Sequence, residues 1–430
     1  MSRTRNRLAW MVVICTLTAG PVVAQDRDTT AIKRLEGQVE AITQELEELK
    51  LGGDVVAKAD TSVYGFGPAA SKVYKAGQGV SIGGYGEVLY QNFAGSRQDD
   101  TPSGATDRFD ALRAIVYVGY KFSDKILFNS EIEFEHGSTE DGGSVSLEFG
   151  YLEYRLSRHL GLRGGLLLAP MGFINEIHEP PAFLGALRPE TERQIIPSTW
   201  RENGLGVFGA TDNFSYRAYL LNGFDATGFG AAGIREGRQS GAEAAAQNFG
   251  AVGRVDYTGK LGLVLGTSAY FGNSGQGATL PSDPSRTVGA QTFIWEGHAQ
   301  YRASGLDLRG LLSVATLDDA AEINELNGLA GSASVGNRLV GWYLQGGYDV
   351  LRGREGDHQL VPYVRYEQIN TQSRVPTGFT ADPANDRRFI TLGTVWKPLP
   401  NISLKGDYQI VHNEADTGVN QLSVDLGYLF

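Results

Sequence analysis

The chain has 430 residues, among them 57 Gly, 15 Pro and a single Cys, with a formal net charge of −11 and 41% hydrophobic content. That length admits two or three soluble domains or one large barrel, and the acidic balance argues against nucleic acid as a partner. One thiol leaves no disulfide framework and no Cys-ligated metal, which excludes small secreted scaffolds and zinc ribbons.

The chain opens with Arg3, Arg5 and Arg7, an apolar run from Leu8 to Ala19, and Val22-Val23-Ala24-Gln25. A basic start, a short apolar run and a small residue at the cut predict a signal peptide over 1–24, too short to span a bilayer. Its removal takes the net charge from −11 to −14 and removes Cys15, the only thiol. Bulky Ile14 before Cys15 does not fit a lipoprotein signal. Next, Ile32, Leu35, Val39, Ile42, Leu46 and Leu49 recur at spacings of 3 and 4, a heptad. The spacing predicts a short parallel coiled coil within 25–50, and hence an oligomer. A single amphipathic helix lying on the protein is the alternative. Residues 51–79 read as a polar, Gly-rich linker.

From Val80 on, period 2 replaces the helical period. Sixteen segments alternate: 80–93, 108–122, 125–136, 144–156, 159–169, 200–210, 213–223, 248–258, 261–271, 288–302, 305–316, 338–351, 358–370, 387–397, 401–412 and 421–430. In the last, Leu422, Val424, Leu426, Tyr428 and Phe430 fall on one face, and Gln421, Ser423, Asp425 and Gly427 on the other. Connections after even-numbered segments are tight, as at Ser123-Asp124, Ser157-Arg158, Thr211-Asp212, Gly259-Lys260 and Ala303-Ser304. Those after odd-numbered segments are mostly long. Sorting of this kind predicts an all-β fold, a 16-stranded antiparallel transmembrane barrel over 80–430. Short turns then face the periplasm, where both termini and the coiled coil lie, and the membrane is the outer membrane. The sixteenth strand must pair with the first, and terminal Phe430 reads as the signal recognised by the outer-membrane assembly machinery.

The third long loop, 170–199, mixes five Pro with Phe173, Ile174, Phe183, Leu184, Ile195 and Ile196, whereas the other long loops favour Gly, Ser, Asn and Ala. Folded into the lumen, it would bring Glu176, His178, Glu179, Arg188, Glu190, Glu192 and Arg193 to the permeation path. A packed external cap is the alternative.

Gly79–Glu87 (GVSIGGYGE), Phe128–His136 (FNSEIEFEH), Asn175–Pro181 (NEIHEPP) and Ile196–Gly204 (IPSTWRENG) resemble the phosphate-selective porin O and P family. The resemblance spans roughly 80–430. It implies a homotrimer in outer-membrane lipid, a constricting third loop and passive uptake of small hydrophilic solutes or ions, anions such as phosphate among them, with no cofactor and no catalysis. The family's phosphate-binding members line the pore with basic residues. Here Glu131, Glu133 and Glu135 share the inward face of one strand, while Arg113, Lys121, Arg163, Arg217, Arg254, Arg309 and Arg365 point inward elsewhere, so both signs line the lumen.

Other chemistry finds little support. His178 lacks the second His of a helical zinc motif, and Pro180 forbids the helix, so no metal is expected. Glu296 and His298 share a strand face, as a barrel hydrolase would require, with no Ser or Asp partner assignable from the sequence. An envelope tether, using the coiled coil to grip the periplasmic cell wall beneath a plugged barrel, is the remaining alternative.

Overall fold

The computed structural model describes residues 62–139 and 142–430. The expected signal peptide (1–24) and coiled coil (25–50) lie outside the described residues. Sixteen strands carry the fold: β1 (Gly79–Phe93), β2 (Arg108–Lys121), β3 (Ile126–Glu135), β4 (Ser144–Arg155), β5 (Gly161–Leu168), β6 (Arg201–Ala210), β7 (Phe214–Asn222), β8 (Phe249–Lys260), β9 (Leu263–Asn273), β10 (Gln291–Ala303), β11 (Leu306–Leu317), β12 (Arg338–Tyr348), β13 (Gln359–Arg374), β14 (Asp386–Leu399), β15 (Ile402–Asn413) and β16 (Gln421–Leu429). Each pairs antiparallel with its neighbours in sequence, and β16 returns to β1, closing the barrel. Every strand expected from the alternation is present, with ends shifted by four residues or fewer. Closure leaves no strand edge whose N–H and C=O groups would go unpaired in lipid.

The outer face follows from period 2. Leu205, Leu344, Val364, Leu392, Leu422, Val424 and Leu426 point outward and are exposed. Aromatic rings ring the two ends of this band: Tyr120, Tyr154, Tyr301, Tyr348, Trp396 and Tyr428 at the short-turn rim, Phe109, Phe134, Phe249, Phe271 and Phe293 at the long-loop rim. An apolar belt between two aromatic girdles is the surface a bilayer selects.

The seam between first and last strands shows why its residues are what they are. Tyr85 lies opposite Leu429 and Phe93 opposite Gln421. One step beyond the end of β16, Phe430 N donates to Gly84 O at 2.9 Å and accepts from Gly84 N through its own carbonyl at 3.0 Å. The outer rings then lie over glycines: a Cβ on Gly84 would stand 2.7 Å from Phe430 Cζ, and one on Gly86 would overlap the Tyr428 ring. Aromatic cover over strand glycines restores the packing that a missing side chain gives up.

The interior departs from a wet lumen. Each of the sixteen strands contributes inward residues that are buried, from Glu87, Glu131 and Glu153 to Arg365, Glu367, Lys405 and Asp425. The filling comes from the third long loop, from loops 223–248 and 318–337, and from residues 62–78. A buried apolar cluster within the barrel includes Phe66, Trp200, Phe224, Phe229, Ile234, Tyr270, Ile323 and Leu339. The reading of 51–79 as linker therefore needs correction over its described part. Residues 62–78 form a packed segment with one helical turn, Lys72–Lys75, and Phe66, Ala69, Ala70 and Val73 are almost fully buried. These side chains would expose apolar surface if the segment hung free, and the barrel wall covers it.

Candidate functional site in the barrel interior

The third long loop is pinned across the barrel by one side chain at its neck. Asn175 Nδ2 donates to Ala169 O at 2.6 Å and to Trp200 O at 2.9 Å, while its Oδ1 accepts from Trp200 N at 2.6 Å. Trp200, fully buried, stacks on Phe224 at 4.6 Å and meets Tyr270 edge-on at 5.0 Å. From this neck the chain crosses to the far wall. There its backbone meets a row of cations: Lys397 Nζ donates to Pro181 O at 2.6 Å, Arg309 Nη2 to Ala182 O at 3.0 Å, Lys405 Nζ to Gly185 O at 3.0 Å and Arg365 Nη1 to Leu187 O at 3.3 Å. Proline removes N–H donors from this loop, and charged donors from β11, β13, β14 and β15 serve these carbonyls instead. Asp407 answers from the same wall by accepting Ala186 N at 2.7 Å.

Lys405 also ties the loop to the barrel seam. Its ammonium lies 3.1 Å from Asp425 on β16 and 4.1 Å from the Phe183 ring centroid. Both charges are fully buried. Lys405→Met leaves Asp425 buried and uncompensated, with an expected stability loss of about 3–5 kcal/mol. Urea midpoints check this, and Lys405→Met combined with Asp425→Asn is expected to recover most of it; equal loss in single and double variants would contradict the pairing.

On the near wall the loop's side chains enter ion pairs. His178 Nε2 lies 3.0 Å from Glu131 Oε1. Glu176 lies 3.5 Å from Arg217 and 3.6 Å from Arg254, which share Asp256 at 2.6 and 2.9 Å. Glu192 accepts from Ile174 N at 2.7 Å and Tyr343 OH at 2.6 Å. Glu179 accepts from Ala69 N at 2.9 Å and Ala70 N at 3.1 Å, outside the loop altogether. Glu190 and Arg193 pair through two bonds of 2.9 and 2.8 Å. Burial alone would raise Glu190, but Arg193 and Arg387 outweigh it and hold the carboxyl below its usual range. Arg188 enters none of these pairs; its Nη2 is buried without a protein partner.

The remaining strand residues singled out from the sequence all face inward. Arg113 pairs with Glu87 at 2.9 Å and stands 4.0 Å from Glu133. Arg163 bonds Glu153 at 3.1 Å and lies over the rings of Phe208, Tyr151 and Phe66. Lys121 donates to Ala76 O at 3.1 Å, and Glu135 accepts from Ser144 at 3.1 Å. The same alternation also places Glu87, Glu153, Asp256, Lys397 and Asp407 on inward faces.

Two electropositive places stand out. Near the long-loop rim, Arg235 and Arg238 of loop 223–248 donate to the carbonyls of Arg193, Pro197, Ser198 and Thr199. Burial and the neighbouring cations Arg238, Arg193 and Arg188 push the Arg235 guanidinium down to about 9. At the short-turn rim, a cavity of about 690 Å³ is lined by Arg302, Arg309, Arg352 and Lys397, against Asp307 and Asp349, with Phe173, Phe183 and Leu184 on its loop side.

The His298 cluster is an ion-pair relay in its geometry. His298 Nε2 lies 2.9 Å from Asp256 and Nδ1 2.8 Å from Glu296, while Ser268 Oγ donates to Glu296 at 2.5 Å. A nucleophile's base needs a ring nitrogen free to take its proton; here carboxylates occupy both. Among the described residues, no group of His, Cys, Asp and Glu has metal-binding geometry.

No family model matches the sequence. An uncharacterized protein of Aquifex aeolicus is 38% identical over 365 residues, which cover 82% of this chain and 80% of that protein, and the chain belongs to its family. Among solved structures, a loop L8 deletion mutant of the Vibrio cholerae outer membrane protein OmpT superposes with a TM-score of 0.51 at 14% identity, covering 82% of this chain and 99% of that one. Salmonella typhi OmpF in complex with daunomycin gives 0.51 at 14% over 82% and 97%. The outer membrane channel DcaP of Acinetobacter baumannii gives 0.50 at 12% over 82% and 97%. At such identities the likeness shows the fold: the closed 16-stranded barrel of outer-membrane porins.

Proposed function

We propose that the protein is a trimeric outer-membrane channel for passive diffusion of small hydrophilic anions, narrowed by the third long loop and catalysing nothing. The short-turn rim and both termini would face the periplasm. The observation that carries this reading is the pairing of a closed, lipid-faced barrel with a loop drawn across its interior by wall cations. Narrowing a wide barrel with a charged loop is how a channel sets size and charge limits together. Anion preference rests on the cavity at the short-turn rim, where four cations face two acids. Low-dielectric walls of one sign raise the local concentration of counter-ions.

Purified protein in a planar bilayer under a potassium chloride gradient tests this. A reversal potential of the sign for chloride over potassium is expected, and Arg302→Glu with Arg352→Glu is expected to shift it toward cations. Potassium preference in the unaltered protein would overturn the anion reading. The filled interior favours a second reading, a plugged barrel that anchors the envelope. Such an anchor passes no current under any condition.

A further inference from the structure

Among the described residues that fill the barrel, 62–78 run directly into the wall at Gly79, the first residue of β1. Gly79 has φ +124°, a conformation that L side chains rarely adopt, and a Cβ there would meet open space. The segment folds back from that swivel along the inner faces of β1 to β6. Its contacts with the wall are polar, aromatic and aliphatic. The Phe66 ring stacks on Tyr151 at 5.5 Å, beneath the Arg163 guanidinium at 4.7 Å. Asn129 Nδ2 donates to Ala70 O at 3.0 Å, and Tyr74 OH to Glu153 at 2.7 Å. The wall has given up side chains where the segment lies. A Cβ on Gly119 would stand 2.6 Å from Val73 Cγ2, and one on Gly83 would stand 3.0 Å from both Ala69 O and Lys72 Cδ. Finally, Glu179 of the third loop accepts both Ala69 N and Ala70 N, so the narrowing loop itself holds the segment in place.

From a glycine hinge at Gly79, a glycine-lined berth and a latch on the loop, we infer that residues 62–78 are a displaceable plug, and that the channel conducts only when they leave the wall. This rests on the channel reading above. The segment lies against inner residues of β1 to β5, among them Gly83, Gly119, Asn129, Tyr151, Glu153 and Arg163. Its swing would expose that wall while the third loop keeps its cation contacts on the opposite side. Tethering keeps the released segment at high local concentration, so the closed state re-forms without a partner.

A reversible lock decides the matter. Val73→Cys with Gly119→Cys puts two Cβ atoms at positions 2.7 Å apart, which must part by about 1 Å for a relaxed disulfide. The full mature chain carrying both changes is recorded in planar bilayers, oxidised and then reduced. Current is expected to vanish on oxidation and return with dithiothreitol. In the full chain, Gly119→Leu with Glu179→Ala, which crowds the berth and removes the latch, is expected to raise the open fraction. Equal current in oxidised and reduced protein would overturn the plug and leave the channel reading standing. If both forms are silent, current from the Gly119→Leu/Glu179→Ala protein supports a plug closed at rest. Silence there too, from a barrel shown by circular dichroism to be folded, removes plug and channel together.

Discussion

Gly84→Val is expected to abolish the folded barrel. β1 must satisfy two neighbours at once, β2 and β16, and Gly84 sits where both press. A side chain there would meet the Phe430 ring at 2.7 Å and, on the other flank, the backbone oxygen of Ile115. The ring could turn away; the backbone of β2 could not without breaking its register with β1 and β3. Loss of the seam strands nine facing residue pairs, Tyr85–Leu429 through Phe93–Gln421, in the membrane, where each unsatisfied backbone group costs about several kcal/mol. That exceeds the whole stability of an ordinary domain, about 5–15 kcal/mol. The check is the folded band in unboiled electrophoresis, with Gly406→Val as the matched control. Gly406 lies on β15 with nothing near its would-be Cβ, so that protein is expected to fold normally. Indistinguishable yields from the two would refute this account of the seam. Deleting Phe430 removes the two hydrogen bonds to Gly84 and is expected to impair insertion in the same assay.

Asn175→Ala comes second. It deletes three short hydrogen bonds and leaves Trp200 N unpaired in a fully buried setting, while Ala169 O and Trp200 O keep their backbone donors Met171 N and Ala169 N. With about 1–3 kcal/mol for a buried orphan, the expected loss is about 1–3 kcal/mol, concentrated at the neck of the third loop. The strands do not depend on Asn175, so the wall is expected to stay closed while the loop loosens. Trypsin then cuts after Arg193, which Gln194 follows, a bond protected in the parent protein. Asn175→Asp keeps the acceptor but sets a buried carboxylate oxygen against the carbonyls of Ala169 and Trp200, and is expected to loosen the loop at least as much as Ala. A loop as resistant in the Ala variant as in the parent would show that the wall cations alone hold it.

The wall was legible in the sequence because alternation is local: each residue's parity names its face, and Leu422, Tyr428, Glu131 and Arg217 all point where parity puts them. The filling was not. Phe229, Ile234 and Ile323 are isolated apolar residues in Gly-, Ala- and Ser-rich loops, with no period to betray that they turn inward. Residues 62–78 lie within the polar, Gly-rich stretch 51–79, and what packs them is the distant wall of β1 to β6. Lys397, Lys405, Arg309 and Arg365 bond backbone carbonyls, and since every residue has a carbonyl, the partner leaves no mark in the sequence. Of the site motifs, Asn-Glu-Ile-His-Glu (175–179) was legible as unusual. Its division of labour was not: Asn175 staples the neck, Glu176 and His178 meet the wall, and Glu179 reaches another segment.

The apolar cluster inside the barrel has a thermal consequence. Lipid outside cannot drive the outer face by the hydrophobic effect, but the cluster of Trp200, Phe224, Tyr270 and their neighbours is withdrawn from water as in a soluble domain. Exposing it adds heat capacity, about 0.45 cal/K/mol for each Å² of apolar surface. A scanning calorimeter should therefore register a soluble-like heat-capacity step when the interior melts. Because such burial weakens on cooling, cold would loosen the filling while the hydrogen-bonded wall stays intact.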